Sequence, residues 1–142
     1  MNIVSGIVLI AALIIGLSAA AQDKKGIEYP HMTVADMVKA GPEMNDRMIV
    51  VDGCYTAWFE VKDLFSCDRP HDRSFRVWVN EPPGEEGDRH LKETGIAYRH
   101  VVLLGRYATG SYYGHENGYR HQFTVYRVYS MSDTKKFLNR EK

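Results

Sequence analysis

Apolar and polar positions along this chain follow two periods, one helical and brief, the other that of strands. In Thr33-Val-Ala-Asp-Met-Val-Lys-Ala40, the residues Val34, Met37 and Val38 share one face at helical spacing. Thr33 is a good N-cap, Asp36 three residues on comes close to a capping box, and Gly41-Pro42 stops the helix. Such a stripe packs into a core more readily than it binds a ligand. From Met48 the period changes. The run Met48-Ile-Val-Val51 is apolar and β-branched, then alternates, with Gly53 inside it. A glycine within a long strand marks a bulge or a sharp coil, as barrel closure needs. Arg47 to Phe59 and Leu64 to Cys67 thus read as antiparallel strands joined near Glu60-Val61, with Cys54 opposite Cys67.

Further along, Phe75-Arg-Val-Trp-Val79 reads as a third strand with Phe75, Val77 and Val79 on one face and Arg76 and Trp78 on the other. Asn80 to Asp88 is a polar loop rich in breakers, and His90 to Thr94 forms a helical turn. A fourth strand, Tyr98 to Tyr107, is centred on Val101-Val-Leu-Leu104, a continuous apolar run of the kind buried on both faces. The segment Ala108 to Gly118 reads as a loop leading to a fifth strand, Tyr119 to Tyr129, and Ser132 caps a last helical turn ending near Leu138. Five strands, one with an internal glycine, predict a mainly β fold. The expected form is a small five-stranded OB-like Greek-key barrel with a short N-terminal helix and a short C-terminal helical turn. The domain spans residues 33–142 behind a lead segment, 22–32.

The chain also resembles small exported bacterial proteins of unknown function. The resemblance rests on Asp46-Arg-Met-Ile-Val-Val-Asp-Gly-Cys-Tyr55, on Glu60 before the hairpin turn, on Leu64-Phe65, and on Val101-Val-Leu-Leu-Gly105. It covers roughly residues 33 to 129 and implies an OB-like fold without implying an activity. The cysteine pair lies outside that pattern.

The N-terminus sets the compartment. From Ile3 to Leu17 the chain is apolar apart from Ser5, Gly6 and Gly16, and Ser18-Ala-Ala-Ala21 precedes a charged stretch. An apolar core of about 15 residues and a small-x-small site describe a secretory signal peptide cleaved after Ala21. The run falls short of the ~20 residues of a spanning helix, so the alternative is an uncleaved anchor, with membrane contact only in that case. A periplasmic or secreted protein is expected. In that setting two cysteines predict a disulfide, Cys54–Cys67, and closing this loop stabilises by roughly 3 kcal/mol. A redox or metal pair lacks support, with no CxxC and no adjacent histidine.

Charge narrows the partners. The chain carries 18 basic and 18 acidic residues, for zero net charge. Nucleic-acid binding draws on a positive surface and is not expected. Candidate chemistry is sparse. Six histidines, His31, His71, His90, His100, His115 and His121, are many for this length, yet none has zincin spacing. His100 in a buried strand reads as a satisfied core histidine. No serine lies in a GxSxG elbow. Glu60, Asp63, Asp68 and Asp72, near Lys62, Arg69 and Arg73, read as a solvated turn rather than an acid–base pair. Arginines and tyrosines interleave from Tyr98 to Tyr129, as in OB folds that stack ligands on aromatic rings but also as in ordinary exposed strands.

The leading expectation is a non-catalytic binding module of the cell envelope, holding a protein, peptide or glycan on Trp58, Tyr112, Tyr113, His115 and Tyr119. No catalytic residue and no cofactor is assigned. Two other classes remain open: a small metal-dependent hydrolase using His115, His121 and a carboxylate such as Glu116, and a scaffold that assembles with copies of itself.

Overall fold

A computed structural model describes residues 26–81, Leu91 and residues 98–133. The expected signal segment, the loop after Glu81, most of the expected turn at 90–94 and the chain beyond Asp133 lie outside the described residues. The elements run in the order β1 (His31–Thr33), α1 (Val34–Ala40), β2 (Met48–Trp58), β3 (Val61–Phe65), β4 (Val77–Asn80), β5 (Arg99–Tyr113) and β6 (Tyr119–Asp133). Short 3-10 turns occupy Gly41–Met44, Arg73–Phe75 and His115–Asn117. Thr33 accepts a hydrogen bond from the Asp36 amide at 3.1 Å, which starts α1 as its sequence predicts.

The strand order is β1-β2-β3-β4-β6-β5, and β2 also pairs with β5. That last pairing closes five strands into a barrel, with β4 and β6 parallel and the other barrel pairs antiparallel. This is the mainly β, five-stranded barrel with a short helix that the sequence predicts. The closure is strongly staggered. Thr56, Asp63, Trp78, Gln122 and Ala108 lie side by side around the barrel. Ala108 is two residues past the partner of Met48, so the lap returns to β2 level with Asp46, ten positions below Thr56. A shear this large tilts the strands and brings hairpin ends from different levels near one another.

Apolar side chains alternate into the barrel: Ile49, Val51 and Tyr55 from β2, Val77 and Val79 from β4, Phe123 and Val125 from β6. Leu91, helical and fully buried, joins them, as do Val34 and Met37 of α1. Gly53 is where the helix enters, because a Cβ there would lie 2.4 Å from Val34 Cγ2.

The structure corrects several expectations. Gly53 marks no bulge, since the β2–β5 register is unbroken from Met48 to Tyr55. The irregularities lie between β5 and β6 instead, one of them at Gly105, where a Cβ would sit 2.3 Å from the Thr124 carbonyl oxygen. The Cys54–Cys67 disulfide is formed, with Cα atoms 5.0 Å apart, but Cys54 faces Phe65, and Cys67 bonds from the chain just past the strand. Phe75 belongs to a 3-10 turn and not to β4. The expected loop 108–118 shrinks to the tip at 114–118, because β5 continues to Tyr113 and keeps its ladder with β6. The final strand likewise runs to Asp133, with Ser132 paired with His100, and the helical turn expected after it lies outside the described residues. The lead segment contributes β1, which runs parallel to β2.

Candidate functional site

The β2–β3 turn is built from Phe59 and Glu60, between the paired residues Trp58 and Val61. Phe59 has φ +51° while Glu60 is not left-handed, so the hairpin uses a turn whose first central position normally holds glycine. A bulky residue in that conformation is strained by roughly 1–2 kcal/mol. The ring recovers little by burial: Phe59 is 87% exposed and Trp58 is 55% exposed. Their ring centroids are 5.1 Å apart and the planes inclined by 53°. Two adjacent aromatic rings therefore project from a strained tip into solvent.

The β5–β6 hairpin folds back toward this tip. Thr109 pairs with His121 and Tyr113 with Tyr119, so β5 carries two extra residues between these pairs and bends, with Gly110 at φ +87°. Beyond the bend Gly114 lies flat on Trp78, where a Cβ would come within 2.5 Å of the indole. Tyr119 packs its ring on Trp78 at 5.3 Å and donates its hydroxyl to Asp63. Asp63 is wholly buried and is also ion-paired with Arg76, whose guanidinium reaches the Pro70 carbonyl. Burial, then the hydrogen bond to Asp63 and the charge it carries, push the Tyr119 hydroxyl pKa well up. At the very tip, His115 Nδ1 lies 3.0 Å from Glu60 Oε2 and its Nε2 lies 3.7 Å from Glu116 Oε1. The two hairpin tips thus meet through the His115–Glu60 contact, above an anchor in which Tyr119 and Arg76 both hold the buried Asp63.

Of the five expected contact residues, the structure joins Trp58 and His115 at this tip. Tyr119 is half-buried and anchors the hairpin. Tyr113 is half-buried too, donating weakly to the Thr109 carbonyl at 3.4 Å. Tyr112 is 57% exposed but lies on the other face of the hairpin from the Tyr113–Tyr119 pair, under the guanidinium of Arg120 at 4.2 Å. Sequence reasoning missed Phe59, although its place between Trp58 and Glu60 at the turn was a usable signal. It also read the acidic residues near the first hairpin as solvated. Asp63 is instead buried, and Lys62 turns to the nearly buried Glu81, 3.1 Å away. Asp68 and Asp72 are turn devices, their carboxyl pKa values held down by hydrogen bonds from Ser66 and Ser74.

The histidines of the metal reading are separately engaged. His121 Nδ1 lies 2.7 Å from the Tyr107 hydroxyl and 2.9 Å from Thr109 Oγ1, and burial, then Arg120, lowers its pKa. His115 faces the two glutamates. His100 is not a core residue but a half-buried partner of Asp52 at 2.9 Å. Among the described residues no three His, Cys, Asp or Glu side chains are grouped to hold a metal ion. The remaining arginines and tyrosines are dispersed: Tyr107 in the core, Arg106 on Asp46, Arg99 on Asp133 and Tyr98 against Phe65. No family model, no curated protein and no solved structure matches the chain.

Proposed function

We propose that the protein is an exported, non-catalytic binding module of the bacterial cell envelope that holds a protein, peptide or glycan at the joined hairpin tips. The observation that carries this is Phe59, a nearly fully exposed aromatic residue in a left-handed turn position. Strain with no return in packing is characteristic of sites kept for contact with something else. Trp58 beside it, and His115 and Glu60 below it, add the mixture of apolar surface and polar groups that binding surfaces use. Export is supported by the apolar N-terminus, by the formed disulfide, and by the resemblance to exported OB-like proteins. Among the described residues no helix is long and apolar enough to cross a membrane.

The test is capture from an envelope extract by the native protein and by a Trp58→Ala, Phe59→Ala variant. Both side chains project from the fold, so the variant is expected to keep its melting temperature and lose the captured ligand. Retention of every captured species by a folded variant would remove the tip from the account.

A further inference from the structure

We propose that the β2–β3 tip docks a cationic protein segment, one presenting arginine or lysine side chains. The segment would lie across the faces of Trp58 and Phe59 and pair with the carboxylates of Glu60 and Glu116; this rests on the binding reading above and names its partner. The face of an aromatic ring attracts a cation placed within about 6 Å of its centre, and indole is the strongest of the natural rings in this respect. Two such rings stand open to solvent at the tip.

Charge selects the partner. Glu60 follows Phe59 directly, and His115 links it to Glu116, both carboxylates being largely exposed. With a neutral imidazole these three groups sum to two negative charges, and with a protonated one to a single negative charge, so they are acidic as a set in either state. The neighbouring cations are committed elsewhere: Lys62 to Glu81, Arg76 to Asp63, and Arg120 to the Tyr112 ring on the far face of the hairpin. An anionic lipid surface or a nucleic acid would meet like charge here, and an uncharged sugar would use the rings while gaining nothing from the net charge. A guanidinium or ammonium group uses both, by stacking on a ring and pairing with a carboxylate.

The chain itself carries the reporter. Trp58 is open to solvent whereas Trp78 is covered by Gly114 and Tyr119, so ligands at the tip change tryptophan emission through Trp58. Purified protein is titrated with a hexa-arginine peptide, with hexa-glutamate as the control, at low and at high salt. The expected result is a saturable response to the arginine peptide only, weakening as salt is raised. In Glu60→Gln, Glu116→Gln the affinity is expected to fall by about tenfold with little change in melting temperature, since the His115 contacts that the two carboxylates make are exposed and contribute little to stability. The proposal is overturned by no response, by a response indifferent to salt or to peptide charge, or by equal affinity in the glutamine variant. Partition into neutral phosphatidylcholine vesicles that needs Trp58 and Phe59 but not the glutamates would also overturn it, in favour of lipid. The envelope capture experiment separates the two readings. A ligand lost with Trp58→Ala, Phe59→Ala but kept with the glutamine variant would overturn the cationic partner and leave the tip as a binding site. A ligand kept by both variants would overturn both.

Discussion

Asp63 has no contact with water, and its carboxylate is stable there because Arg76 and the Tyr119 hydroxyl both reach it. A buried charge without partners is strongly unfavourable, so the donor on β6 is part of what lets β3 carry an aspartate at this position. Tyr119→Phe removes one donor and leaves the rest of the ring on Trp78. It should lower the unfolding free energy by about 1–3 kcal/mol in denaturant titrations, and no loss would mean the hydroxyl contributes nothing to holding the hairpin. His121 gives a pH signature. Its folded pKa lies below the ordinary value of about 6.5, so the unfolded chain takes up the proton first as pH falls. The neutral ring contributes stability that is present above about 6.5 and is lost as pH drops through that value toward the lower folded one. Melting temperature should therefore fall between pH 7.5 and 5.5, and fall less steeply in His121→Gln; equal slopes would refute the assignment. Neither residue's role was visible in sequence, because Asp63–Tyr119 and His121–Tyr107 are tertiary pairs joining residues that no local pattern connects.

At the scale of elements, the helix and the first hairpin were legible, because capping, periodicity and β-branched runs act locally. Thr33 and Val34 behave as read, while Asp36 accepts from the Thr33 hydroxyl at 2.8 Å in place of the backbone N–H that a capping box would use, and β2 covers the stretch its alternation marks. The ends of β5 and β6 were not legible. Thr109-Gly-Ser-Tyr-Tyr113 has loop-like glycine and serine, yet its two ends pair with His121 and Tyr119 of β6 and a bulge between them absorbs Gly110. Gly53 was singled out for a bulge, but its requirement comes from Val34, a residue on another element. The disulfide was legible from compartment and spacing, and it ties β2 to the segment after β3. Replacing Cys54 and Cys67 by alanine should cost roughly 3 kcal/mol of stability, measured as a shift of the denaturant midpoint. A midpoint equal to that of the native protein would show that the paired strands alone hold this corner.

At the scale of the molecule, closure with large stagger does what no single strand could. It places the tip of the β2–β3 hairpin and the tip of the folded-back β5–β6 hairpin side by side, joined by Glu60 and His115 over a buried anchor. The contact residues expected from sequence lay mostly at the second tip, with Trp58 at the first; the candidate surface in the fold centres on Trp58 and Phe59, and Tyr119 is a support. The barrel, its core and its disulfide supply the stability that lets the β2–β3 tip keep a strained aromatic residue. If that is so, the tip is retained for contact and at the expense of the fold. Phe59→Gly tests this most directly, because glycine occupies the left-handed position without strain. The account predicts that global unfolding by denaturant will show this variant to be more stable than the native protein, by about 0.5–1 kcal/mol, while its affinity for the ligand is lost. A variant less stable than the native protein would contradict it, because the Phe59 ring would then be holding the fold together.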